Sequence, residues 1–98
     1  MRWLMVVRPE AEQDLASARD RYEQKCAGLG DEFLDAVASA MRELQRAPEL
    51  PRLYFRNFRR VLLRRFPYKI FYQVIGKRVV VFRVLHAKQE HVRGLGLK

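Results

Sequence analysis

The amino-acid sequence predicts an α+β domain in the order β-α-α-β-β-β, an antiparallel-dominated sheet packed on an αα-hairpin. Two observations lead there. Hydrophobic spacing near 3.6 residues dominates the first half of the chain, and strand-like alternation dominates Arg59–His86, RRVLLRRFPYKIFYQVIGKRVVVFRVLH. With 98 residues there is room for one core, so residues 1–98 read as a single domain.

Trp3–Val7 is short, apolar and β-prone, and Pro9 closes it. The apolar start meets Arg8-Pro9-Glu10 at once, which fits a first strand and not a signal peptide. Pro9 suits the first turn of a helix, and Glu10, Glu12 and Asp14 complement its dipole. Ala11, Leu15, Ala18, Tyr22 and Cys26 follow one helical face, so Cys26 is expected to be a small core residue. Gly28 and Gly30 stop this helix, and Asp31 is the expected N-cap of the next. Phe33, Leu34, Val37, Met41 and Leu44 form the second stripe, which Ala47-Pro48 ends. Two helices joined this closely form an antiparallel hairpin whose stripes need a sheet to cover.

Pro48–Phe58 reads as a connector anchored by some of Tyr54, Phe55 and Phe58. Three strands follow, Arg60–Phe66, Tyr68–Ile75 and Arg78–His86, the last two joined by a Gly76-Lys77 turn. Alternation puts Tyr68, Ile70, Tyr72 and Val74 on one face and Lys69, Phe71, Gln73 and Ile75 on the other. It likewise separates Val79, Val81, Arg83 and Leu85 from Val80, Phe82, Val84 and His86. The face away from the helices is expected to be an exposed apolar surface studded with Arg and Lys, suited to binding. Residues 88–98 read as a flexible tail.

Charge is unevenly distributed. Residues 1–50 hold seven Lys/Arg against ten Asp/Glu, whereas residues 51–98 hold thirteen against the single Glu90. A balance of +12 in the second half suggests an anionic partner, either nucleic acid or an acidic protein segment. A lone cysteine excludes an internal disulfide and suits a reducing cytoplasm, and no apolar run is long enough to span a bilayer. No metal or other cofactor is expected, because His86 and His91 have no cysteine or carboxylate cluster beside them. There is no phosphate-cradling glycine loop, and Ser17 and Ser39 both fall inside helices. The acidic residues sit on the helices, away from the basic sheet, which argues against paired-carboxylate hydrolysis.

The remaining candidates are Arg60, Arg64, Arg65, Lys69, Arg83, His86 and Lys88. Cations with one imidazole can cleave RNA without metal, by activating the 2′-OH and stabilising the transition-state charge. The same cluster can equally dock an anionic partner. His86 itself can be a strand-end histidine bonded to backbone.

The element order, with RRFPYKIFYQVIGKRVVVFRVLHAKQEHV closing it, resembles the RelE/ParE toxin superfamily of type II toxin–antitoxin systems. The likeness runs from Pro9-Glu10-Ala11-Glu12 to His86 and is most specific at Arg65–Tyr72 and Val79–His86. It implies a toxin that forms a hetero-oligomer with a cognate antitoxin, an acidic protein that folds on binding. RelE-like members enter the ribosome and cut mRNA, whereas ParE-like members inhibit DNA gyrase and lack the ribonuclease groups. Of the two lysines that RelE-like ribonucleases carry on the first strand of the three-strand run, one place holds Arg60 and the other Leu62. Lys69 stands where the next strand has an arginine, and Gln89, beside Lys88, stands where an arginine follows the last strand. Leu95 occupies the place of a C-terminal tyrosine. The resemblance therefore favours the ParE-like branch. A ribosome-dependent endoribonuclease using Arg60, Lys69, His86 and Lys88 is the alternative, and an inactive antitoxin-binding relative the second.

Overall fold

A computed structural model describes residues 3–88. The expected tail, with Gln89, His91 and Leu95, lies outside the described residues. The elements are β1 (Leu4–Val7), α1 (Pro9–Lys25), α2 (Leu29–Arg46), β2 (Leu53–Phe55), β3 (Phe58–Leu62), β4 (Tyr68–Ile75) and β5 (Arg78–His86). One sheet runs β1-β5-β4-β3-β2, with β1 parallel to β5 and every other pair antiparallel. The two helices pack as a hairpin, and α1 lies against β5.

The α+β architecture expected from the sequence is present, with one strand more. The connector contains β2, a short edge strand that pairs with β3 across a turn at Arg56-Asn57. Arg56 adopts φ +53°, a conformation that glycine and asparagine adopt more readily, so the residue types hide the turn. The strand expected at Arg60–Phe66 is instead Phe58–Leu62, and the chain then turns through Leu63–Pro67 with Leu63 and Phe66 buried. At Gly76-Lys77 the expected tight hairpin holds: Ile75 pairs with Arg78, and Gly76 takes φ +61°.

The junction between the helices differs from the sequence reading. α1 ends at Lys25, and Cys26 turns outward as its exposed C-cap instead of entering the core. α2 starts at Leu29, so Asp31 is not its N-cap; Gly28 is, at φ +90°. The cap is supplied from the preceding helix. The Glu23 carboxylate accepts the backbone N–H groups of Gly28 and Gly30, each at 3.0 Å. Those two bonds are the main reason its pKa lies below the ordinary carboxylate value. Asp31, left without a capping role, pairs with Arg19 on the surface. Gly30 lies within α2 because the helices approach closely there: a Cβ would stand 2.8 Å from the Arg19 carbonyl oxygen.

The core is aromatic where the hairpin meets the sheet. The Phe33 ring lies 5.2–5.3 Å, centroid to centroid, from Tyr22, Phe66 and Tyr68. Ile70, Tyr72, Val79, Val81 and Val84 continue this core along β4 and β5. Tyr72 is fully buried, and its hydroxyl donates to the Pro48 carbonyl at 2.7 Å, fastening the end of α2 to the sheet.

Burial pushes the Tyr72 phenol up to about 12, from 10 in an exposed chain. Its contribution is therefore complete below pH 10 and is lost as the pH rises through about 12. Tyr72→Phe leaves the Pro48 carbonyl without its donor and is expected to cost about 1–2 kcal/mol at neutral pH. Urea unfolding of both proteins from pH 8 to 12 should show that gap closing above pH 10.

Candidate functional site

Residues directly opposite one another on paired strands share a face of the sheet. Ile70 and Tyr72 belong to the core beneath the helices. Lys69 and Phe71, between and beside them, therefore point to the other, outer face. Arg60 pairs with Phe71, and Lys69 lies between Leu62 on β3 and Leu85 on β5. Arg60 and Lys69 thus share the outer face. Among the described residues neither takes part in an ion pair.

That face is less open than expected. Phe71, Leu85 and Phe58 are 0%, 1% and 4% exposed, although none belongs to the helix-side cluster. The Tyr54 ring packs 5.8 Å from Phe71, and the Arg60 guanidinium covers Tyr54 at 3.8 Å. Phe82 packs edge-on to Phe58 at 5.0 Å, with the Arg8 guanidinium 4.4 Å above it. The outer face is thus a second packed layer of rings and cations, left open at Leu62, which lies opposite Lys69 and is 60% exposed.

Alternation fails along β5 because the ladder shifts register between Phe71 and Tyr72. Phe71 faces Arg83, Tyr72 faces Val81, and Phe82 is the extra residue. Beyond the shift, Val84 lies opposite Ile70 and joins the core, while Leu85 lies opposite Lys69. The expected grouping of Leu85 with Val79 and Val81 is therefore reversed.

His86 lies opposite Tyr68 and packs edge-on to its ring at 5.2 Å. Tyr68 in turn accepts a bond from Arg21 at 2.7 Å on the helix side. The imidazole Nδ1 accepts the Lys88 backbone N–H at 3.1 Å, the backbone-bonded role open to a strand-end histidine. His86 and Lys69 consequently occupy opposite faces of the sheet.

The other candidate cations go elsewhere again. Arg64 lies 3.9 Å from Glu43, and Arg65 bonds Glu32 at 2.7 Å, both acids on α2. Arg83 is held by Asp14 of α1 through two bonds, Nε to Oδ2 at 2.6 Å and Nη2 to Oδ1 at 2.7 Å. Asp14 also accepts the Val84 N–H at 3.0 Å. The last β1–β5 pair is Val7 with Val81, and Arg8 N–H still reaches the Val81 carbonyl. Past that point the Asp14 carboxylate takes the place of a strand on the β5 edge. This bond is the main cause of the raised Arg83 pKa.

The acidic residues on the helices are therefore not remote from the basic sheet, as their sequence positions suggested. Asp14 was findable: it lies three residues after Ala11 and four before Ala18, on the buried side of the helix.

Where β3 meets α2, an open groove of about 400 Å³ is lined by Ala36, Ala40, Leu44, Leu50, Val61 and Leu62, with Glu43, Arg64 and Arg65 on its rim. Leu50 and Leu62 are 81% and 60% exposed there. No signal in the sequence marked them, because one lies in the connector and the other at a strand end. Among the described residues no group of His, Cys, Asp or Glu is placed to hold a metal, and no helix is long and apolar enough to cross a membrane.

A two-helix hairpin against a five-stranded mixed sheet is the fold of RelE/ParE-like toxins. The chain is similar to the chromosomal ParDE toxin–antitoxin system of P. aeruginosa, with a TM-score of 0.79 and 18% identity over 86% of this chain and 95% of that one. It is similar as well to the intact E. coli RelBE complex, with a TM-score of 0.67 and 20% identity over 89% and 99%. RelBE2 of Mycobacterium tuberculosis gives 0.63 and 22% over 88% and 99%. No curated protein matches in sequence. Residues 5–91 match the family described as ParE toxin of type II toxin-antitoxin system, parDE, and the chain belongs to that family.

Asp14→Asn breaks the Arg83 ion pair inside a partly buried network. Unfolding in urea is expected to show a loss of about 2–3 kcal/mol, with the Val84 amide exchanging faster in deuterium.

Proposed function

We propose that this ParE-family toxin acts by docking on a protein target, DNA gyrase, and that it cuts no RNA. The observation that carries the reading is the separation of Lys69 from His86 across the sheet. A cation and an acid–base group must meet at one phosphodiester to cleave it. Arg83 is committed to Asp14, and Leu62 offers no charge where the RelE-like resemblance implies one. Losing one donor to a developing charge typically costs about 10²–10³ in rate, so several such losses leave little catalysis. The ribonuclease reading would need His86 to leave Tyr68 and cross to the outer face.

A cognate antitoxin, acidic and folding on binding, neutralises the toxin in the cytoplasm as a hetero-oligomer. The solved ParDE and RelBE relatives, which are toxin–antitoxin assemblies, support this partner. The +9 net charge of the chain supports an acidic one.

Purified toxin is expected to inhibit gyrase supercoiling of relaxed plasmid at micromolar concentration, and inhibition should disappear on adding antitoxin. Undiminished supercoiling at that concentration would count heavily against the gyrase assignment.

A further inference from the structure

We infer that the β2–β3 hairpin holds the phosphate backbone of duplex DNA, through Arg52, Arg56 and Arg60. This deepens the gyrase reading above and rests on it for the choice of DNA: a toxin docked on gyrase stands beside the duplex that the enzyme supercoils.

Composition gives the first reason. From Pro51 to Pro67 the chain has six arginines and no lysine, aspartate or glutamate. Three of the six are used by the fold. Arg59 donates to the carbonyls of Glu49 and Pro51, and Arg64 and Arg65 meet acids of α2. Arg52, Arg56 and Arg60 take part in no ion pair among the described residues. A face that only has to be solvated can use lysine as well, whereas the planar guanidinium fits a phosphate with two parallel bonds.

Geometry gives the second. The Arg60 guanidinium carbon lies 3.8 Å from the centre of the Tyr54 ring, and that of Arg56 lies 5.2 Å from the centre of the Phe55 ring. A guanidinium stacked by its face keeps the N–H groups at its edge for an acceptor. The rings also restrict these side chains before a ligand arrives, which lowers the ordering cost of binding. Arg52 stands exposed two residues before Tyr54, and Arg56 stands exposed in the turn. β2 is the last strand of the sheet, so a ligand can reach this hairpin from the edge as well as from the outer face.

The same contacts select a duplex over a single strand. Unpaired bases are held by stacking on open ring faces. Here Arg60 lies over Tyr54 and Arg56 over Phe55, while Phe71 and Phe58 are buried. The hairpin offers cations without a stacking platform, which suits phosphates and reads no base sequence.

The test uses the full-length chain and fluorescence anisotropy with a short labelled DNA duplex of arbitrary sequence, titrated over a range of salt concentrations. A single-stranded RNA of the same length is the second probe. The duplex is expected to bind about fivefold tighter than the RNA, or more. Arg52→Gln with Arg56→Gln should weaken duplex binding about tenfold and lower the slope of log K against log salt by about two. Arg42→Gln with Arg46→Gln removes the same charge from α2 and should leave that slope unchanged. All four side chains are exposed, and circular dichroism confirms that each variant is folded.

Equal losses in the two double variants would show binding by diffuse charge and overturn the hairpin. Binding of the RNA as tightly as the duplex, or more tightly, would overturn the choice of partner. In the supercoiling assay the hairpin variant should need about fivefold more protein for half-inhibition than the wild type. Wild type that binds the duplex through the hairpin but leaves supercoiling undiminished would sink the gyrase reading and leave DNA binding standing. Inhibition of gyrase by a wild type that ignores the duplex would overturn the hairpin alone.

Discussion

The ring cluster of Tyr22, Phe33, Phe66 and Tyr68 is the constraint on which the rest of the molecule depends. It joins α1, α2, the turn before β4 and the start of β4 in one place, with Phe33 in contact with the other three rings. Aromatic pairs in this geometry add to the burial of apolar area, which is the larger stabilising effect. Fixing Tyr68 beneath the helices also fixes His86, its cross-strand partner, on that side. A packing requirement thereby removes the only imidazole among the described residues from the face that carries Arg60 and Lys69.

The cations follow a similar logic. Seven candidates close together in sequence suggest one basic surface, but the fold distributes them over several. Arg83 completes an edge that β1 is too short to cover, and Arg64 and Arg65 lie along α2. Arg60 seals an aromatic layer through Tyr54. A cation used in this way still contributes to the long-range electrostatic field of the protein while its side chain is held in place by packing.

Much of the fold was legible because long periodic segments are hard to misread. The stripe from Phe33 to Leu44 and the strands Tyr68–Ile75 and Arg78–His86 lie where their patterns put them. Features decided by tertiary contact were not legible. Glu23 reaches from one helix to cap the next, so Asp31 had no capping role and Gly30 stayed helical. The Arg56 turn has no glycine, which concealed β2, and one extra residue at Phe82 reversed the faces beyond it. At the candidate site, residue types identified the cations correctly, but pairing across 69 positions to Asp14 is a long-range event that local pattern does not record.

Ribosome-bound message distinguishes a toxin that docks from one that cuts. Purified toxin is added to a reconstituted translation reaction without antitoxin, and the message is mapped by primer extension. Intact transcripts are expected at toxin concentrations that inhibit gyrase. New 5′ ends within the translated codons, lost in both Lys69→Ala and His86→Ala, would contradict it.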